Sequence, residues 1–239
     1  LDQQKRIQDM TASENVTVVA VHGAWADGSS WKDVILGLER KGVGVVAAPI
    51  PLTSLGDDTA ALKRAIARTK GPLILTGHAY AGAVIATIND QRVKALVYIA
   101  ALAPEEGETV AQVFYRDERH PQAPQLAPDG DGLIWMPQDG FRNAFAQHAT
   151  AEQIALSAAV QRPIALKCIQ EPAPKPAWRS KPSWFLIAEQ DRMINPKTQH
   201  FMAKRMGATT RVLALDHTPL LSAPQKVVDI ILEAQQAVS

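Results

Sequence analysis

The sequence predicts an α/β fold: a mostly parallel sheet flanked by helices, with a helical insertion in its second half. Three observations predict it. Short β-branched runs alternate with amphipathic helices along most of the chain. One apolar run, residues 72–76, enters a turn of small residues and passes straight into the apolar stretch Ala83–Ala86. At 239 residues, with 46% of them apolar, the chain is long enough for one well-buried domain.

Val16–Val21 reads as the first buried strand and Val43–Ala48 as the second. Between them, Ser30–Arg40 carries Trp31, Val34, Ile35 and Leu38 on one helical face, with Ser29 or Ser30 as its N-cap. Asp58–Thr69 is the second amphipathic helix, and Leu73–Leu75 the strand that enters the small-residue turn. Ala95–Ala100, Trp184–Ala188 and Arg211–Leu215 are further strands. Helices Pro196–Met206 and Pro224–Ala237 follow the last two. Alternation of this kind implies right-handed crossovers and helices on both faces of the sheet.

Residues 105–180 break the rhythm. They are rich in Pro, Gln, Glu and Ala, show helical spacing across Phe141–Val160, and contain no convincing strand. Phe114, Tyr115, Trp135, Met136, Phe141 and Phe145 give this stretch enough apolar surface to fold against a core. A surface excursion of this length without packing would be unusual. The expected organisation is therefore a core of residues 15–104 and 181–239, with residues 105–180 as a helical cap.

Lys and Arg nearly balance Asp and Glu, for a formal net charge of +1, and no basic block is present. Nucleic acid is not an expected partner. No apolar run approaches the roughly 20 residues that span a bilayer, so no membrane partner is expected. Cys168, the single cysteine, cannot form an internal disulfide. A soluble chain is expected, with the cytoplasm favoured over export. The segment Leu1–Glu14 shows no h-region. No histidine pair has metal-ligand spacing and no cysteine cluster exists, so neither metal nor other cofactor is expected. Gly42-Val43-Gly44 lacks the third glycine of a dinucleotide fingerprint, and Asp129–Gly132 is too short for an EF-hand.

The chemistry concentrates at Gly77-His78-Ala79-Tyr80-Ala81-Gly82. A strand, a tight turn and a helix in this order have the layout of a nucleophile elbow, which holds a serine on a strained turn. Here the nucleophile position is Ala79. A methyl group cannot attack a carbonyl, so covalent acyl transfer through position 79 is excluded.

Taken with His22-Gly23-Ala24, Asp191-Arg192-Met193-Ile194 and Asp216-His217-Thr218-Pro219, this elbow resembles the α/β-hydrolase superfamily, and most closely its small bacterial esterase-like members. The resemblance covers residues 15–239 and implies the α/β-hydrolase fold, with a cap inserted between the family's sixth and seventh strands. The departures are Ala79 for serine and Ala81 for glycine. Ala79 is either an introduced replacement or a natural loss, and the second departure at Ala81 favours natural loss.

The family's chain order of nucleophile, acid and base maps onto Ala79, Asp191 and His217. Asp191 can alternatively be a cap or turn aspartate ahead of Pro196. Asp216 competes as the acid by proximity, although neighbours in an extended segment point apart. His22 is expected to support the loop that follows it, and His78 to point away from the site as support. His120, His148 and His200 are expected to be solvated. The resemblance implies oxyanion donors at the amides of Ala24 and Tyr80. Gly23 and Gly28 are turn glycines or allow close substrate approach. Trp25, Met193 and Leu220 flank the motif loops, and with Tyr115 and Trp135 they are the expected pocket lining; ordinary core packing is the alternative for each.

The expected function is that of a carboxylic-ester hydrolase scaffold whose ligand is a small or medium apolar ester or lactone. Two alternatives stand beside it. One is a binder without turnover. The other is a serine-independent enzyme in which His217, supported by Asp191, works as an acid–base pair, of lyase or cofactor-free oxygenase type.

Overall fold

The computed structural model describes residues 16–238, so the segment Leu1–Glu14, Asn15 and Ser239 lie outside the described residues. Six parallel strands form the main sheet: β1 (Thr17–Val21), β2 (Gly44–Ala48), β3 (Leu73–His78), β4 (Val93–Ile99), β7 (Ser183–Ala188) and β8 (Thr209–Leu213). Their order across the sheet is β2-β1-β3-β4-β7-β8. A separate antiparallel pair, β5 (Leu133–Ile134) and β6 (Ile164–Ala165), lies in the stretch between β4 and β7.

Strand periodicity splits the core into two layers. Val19, Val21, Leu73 and Leu75 face the layer that holds helices α2 (Leu55–Ala67) and α3 (Ala81–Ala86). Val18, Ala20 and Ile74 face the other, which holds α1 (Lys32–Glu39). Residues 105–180 pack on the first layer through Val110, Val113, Phe141, Phe145, Ile164 and Cys168.

The differences from expectation have local causes. Strand β3 continues to His78 because Thr76, Gly77 and His78 pair with Val97, Tyr98 and Ile99 of β4; polar residues in a buried strand read as turn from sequence. Strand β8 begins two residues early, since Thr209 and Thr210 pair with Trp184 and Phe185 at an exposed sheet edge. The first helix is not capped by Ser29 or Ser30. Asp27 accepts from the Ser29 amide and caps a 3-10 turn, Gly28–Trp31, from which α1 continues. Helix α2 starts three residues early, with Ser54 accepting from the Asp57 amide.

Within residues 105–180 the structure forms α4 (Val110–Phe114), α5 (Ala151–Ala159) and α6 (Leu166–Gln170), and the β5–β6 pair corrects the expectation of no strand. The helical spacing across Phe141–Val160 resolves into a π-helical turn, Phe141–Phe145, and then α5. Thr150 and Gln153 form a capping box that restarts the helix. After β7 come α7 (Pro196–Met206), then α8 (Pro219–Ser222) and α9 (Pro224–Val238) beyond β8. No helix among the described residues is long and apolar enough to cross a membrane.

Candidate active site

Strand β3 delivers the chain into the turn, and close packing fixes the turn's shape. Ala79 sits at φ +51°, a left-handed conformation that costs a non-glycine residue on the order of 1 kcal/mol or more. Its backbone is held on both sides. The amide donates to the Ile99 carbonyl at 3.2 Å, and the carbonyl accepts from Gly82 and Leu102 at 3.1 and 2.9 Å. A side chain at Gly77 would meet the Ala81 carbonyl oxygen at 2.7 Å, and one at Gly82 the Leu102 carbonyl oxygen at 2.4 Å. A Cβ at Gly23 would be tight, 3.0 Å from that of Ala79 and from the His78 carbonyl oxygen. Gly28 has only ordinary contact, with Ala47. The Ala81 methyl is accommodated, fully buried, at the first position of α3.

Asp191 and His217 come together from the ends of β7 and β8. His217 donates from Nδ1 to Asp191 Oδ2 at 2.8 Å, and both residues are 2% exposed. The carboxylate also accepts from the amides of Met193 (2.7 Å) and Ile194 (2.9 Å) on Oδ1 and from Gln199 Nε2 (2.8 Å) on Oδ2. Asp216 does not compete: it accepts from the His148 amide and the Ser222 hydroxyl.

His78 does not border the Ala79 cavity and supports the site from behind: its ring centroid lies 4.9 Å from that of His217, and its Nε2–H donates to the His217 carbonyl at 2.7 Å. Burial, reinforced by the neighbouring His217 ring, pushes its pKa down to about 3. His22 donates from Nδ1 to the Gly23 carbonyl at 2.9 Å, and burial holds its pKa below the usual histidine range. His120, His148 and His200 are exposed, and His200 pairs with Glu189.

The amides of Ala24 and Tyr80 have no acceptor among the described residues. Both residues, with Ala79 and His217, border one small cavity of about 60 Å³. Trp25, Tyr115 and Met193 line it as expected. Trp135 does not. It lies just past the end of β5, 48% exposed, with its indole N–H donating to Asp129. Leu220 does not either, being buried in the layer of α1 and α9 and bordering a different cleft.

Two contributors, Gln199 and Asp58, were missed from sequence, and Trp25 does more than line the cavity. Gln199 bridges Asp191, the Ile194 carbonyl and the Ala188 amide, and its only sequence signal is its place in the first turns of α7. Trp25, at φ +57°, ties the loop after β1 to residues 105–180: its amide donates to Arg162 and its indole N–H to the Ile134 carbonyl. Asp58, fully buried, accepts from the Tyr80 hydroxyl at 2.7 Å and the Leu52 amide at 2.7 Å. Its signal was legible, because Leu55, Asp58, Leu62 and Ile66 share one helical face.

Residues 18–230 match the model of the Alpha/beta hydrolase family. The Alpha/beta hydrolase nvfD of Aspergillus novofumigatus is 23% identical over 242 residues, covering 91% of this chain and 95% of that protein. Among solved structures, the pyrethroid hydrolase PytH superposes with TM-score 0.79 at 21% identity, over 94% of this chain and 99% of that one. A histidine-to-alanine variant of tomato Methylketone Synthase I, complexed with beta-ketoheptanoate, superposes with TM-score 0.81 at 15% identity, over 94% and 99%. With the family model spanning nearly the whole of the sheet and its motif loops, the chain belongs to the alpha/beta hydrolase family.

Proposed function

We propose that this protein is a serine-independent enzyme of the alpha/beta hydrolase family, acting on a small or medium apolar carbonyl compound by proton transfer at the carbon next to the carbonyl. One observation carries the reading: the Asp191–His217 hydrogen bond is intact, and His217 borders the same apolar cavity as two unpartnered amides, while Ala79 removes the covalent route. His217 Nε2 makes no protein hydrogen bond among the described residues and is the nitrogen left to take the proton. The C–H electron pair becomes a carbon–carbon double bond, and the carbonyl π pair moves onto oxygen. The amides of Ala24 and Tyr80 bind that enolate oxygen, an interaction of the kind worth about 3 kcal/mol per donor. Asp191 orients the ring and stabilises it once charged.

In this reading residues 105–180 are the cap, since Val110, Phe114, Tyr115, Leu126, Ile134 and Ile169 supply much of the cavity wall. The lining contains no Lys or Arg, which suits an uncharged ligand. The beta-ketoheptanoate bound to the methylketone synthase variant is a medium-length carbonyl compound and supports the choice of class, as the pyrethroid hydrolase supports an acyl compound.

A β-acetoxy ketone separates this function from ester hydrolysis in a single assay. Elimination gives an enone and acetate, whereas hydrolysis gives the hydroxy ketone and acetate. Enone formation that disappears in His217→Ala is the expected result. Hydroxy ketone as the enzymatic product would return the chain to the ester hydrolases, and saturable binding without either product would make it a binder.

A further inference from the structure

Asp58 of α2 is fully buried, and its hydrogen-bond partners are an amide, a phenol and a thiol, none of them charged. Oδ1 accepts from the Leu52 amide at 2.7 Å. Oδ2 accepts from the Tyr80 hydroxyl at 2.7 Å and from Cys168 Sγ at 3.7 Å. A carboxyl group buried without a cation weakens a fold, and an apolar side chain on the same helix face would carry no such penalty. Stability alone therefore gives no reason for an acid at this position.

What the acid supplies is placement. Its three donors come from separate parts of the chain: Leu52 after β2, Tyr80 in the elbow and Cys168 in α6. Leu52, at φ +61°, has its amide on Asp58 and its carbonyl on the Ala165 amide at 2.9 Å. Ile164 and Ile169, the sequence neighbours of Ala165 and Cys168, line the Ala79 cavity. The elbow and part of the cavity wall are thus tied to one carboxyl group.

Tyr80 is the link to the chemistry. The peptide between Ala79 and Tyr80 is trans, so its C=O and N–H point in opposite directions. The carbonyl is held by the amides of Gly82 and Leu102, whereas the Tyr80 amide has no acceptor among the described residues. The Tyr80 side chain is a second hold on that amide, and Asp58 fixes its far end. The hydroxyls of Thr59 in α2 and Thr87, just past α3, share a hydrogen bond at 2.9 Å. The Asp58–Tyr80 contact is therefore not needed merely to join these two helices.

We propose that Asp58 is a positioning residue that, through the Tyr80 hydroxyl, aims the Tyr80 amide at the enolate oxygen. This rests on the proton-transfer reading given above, in which that amide binds the enolate. A neutral ketone depends on the donor's aim less than the charged oxygen does, so loss of the tether falls on kcat rather than on KM.

Proton exchange of 2-octanone in heavy water, measured over a range of ketone concentrations, gives both constants. Tyr80→Phe keeps the amide and the ring and removes the tether. Its kcat should fall about tenfold, with KM within about twofold of the native value. Asp58→Ala should fall as far. Asp58→Asn should recover most of that loss, because its oxygen can serve Leu52 while its NH2 donates to a reversed Tyr80 hydroxyl. Thr59→Val removes the other hydrogen bond between the same elements and should leave kcat unchanged. If Asp58→Ala is poorly folded, Tyr80→Phe set against Thr59→Val carries the test. The residue-80 amide gives a reading free of the catalysed step: 2-octanone should move its proton shift in the native chain and move it less in Tyr80→Phe. A native chain without exchange would sink proton transfer alone, and the amide shifts then decide the role of Asp58. An unchanged kcat in Tyr80→Phe, an equal fall in Thr59→Val, or amide shifts alike in the native chain and Tyr80→Phe would overturn the proposal.

Discussion

His217 is anchored to Asp191 at 2.8 Å and borders, with the turn residue Ala79, a single cavity. The anchoring is not incidental packing. Asp191 accepts four hydrogen bonds, two from the amides of Met193 and Ile194 and two from the side chains of Gln199 and His217. A buried carboxylate with its acceptor positions filled holds an imidazole in one orientation, which general acid–base chemistry needs and a passive pocket does not.

Asp191→Asn tests how much of the fold rests on that carboxylate. An amide nitrogen replacing Oδ2 would place a donor against the donors of Gln199 and His217. The variant should lose about 2 kcal/mol of stability, read by denaturant unfolding. A loss below about 0.5 kcal/mol would show that the network tolerates the reversal.

Stability should fall on acidification through a second histidine. The folded-state pKa of His78 lies at about 3 against 6.5 for the free side chain, so between those values the unfolded chain binds more protons. The contribution is complete above 6.5 and is lost as the pH drops from there toward 3. His22, lowered by burial, acts in the same sense. Asp58, raised by burial, acts in the opposite sense: its contribution is full below 3.8 and declines as the pH rises through its folded value. Urea unfolding at about pH 7 and about pH 5 should show the loss, and His78→Gln, which retains a donor for the His217 carbonyl, should flatten it. Equal pH slopes in the two proteins would contradict the assignment.

Ala79→Ser asks whether the old acyl-transfer geometry survives. The elbow backbone is held at φ +51° and Ala79 shares a cavity with His217, so an added hydroxyl should fall about 2.6–3.2 Å from the ring. Hydrolysis of activated nitrophenyl esters should rise at least ~100-fold, about 2.7 kcal/mol of transition-state stabilisation. The substituted position should also become reactive to a fluorophosphonate. A folded variant with no gain on any activated ester would show that the pocket has left acyl transfer.

Much of this arrangement was legible in the sequence because it is local. The elbow is six consecutive residues, Asp191 and His217 each close a strand, and Pro196–Met206 carries its own Asn195 cap and Gly207 stop. What escaped is tertiary. Trp135 is expected in the pocket lining, but its indole turns outward to Asp129 across the turn before β5, a contact no local pattern reveals. Leu220 was placed by nearness to His217, and a few residues suffice to carry the chain from one core layer to the other. Residues 105–180 hid their two short strands because two-residue pairs leave no periodicity to read. Phe145, whose ring lies against those of Trp25 and His217, gives no sign beyond being aromatic.

The central claim is that His217, held by Asp191, moves a proton at carbon without a serine. The most direct measurement is hydrogen–deuterium exchange next to the carbonyl of a medium-chain methyl ketone, followed by proton NMR in heavy water. The native chain should wash out those protons catalytically, and His217→Gln should slow the exchange at least ~100-fold with the fold intact. Exchange no faster than buffer, or equally fast in His217→Gln, would contradict the account.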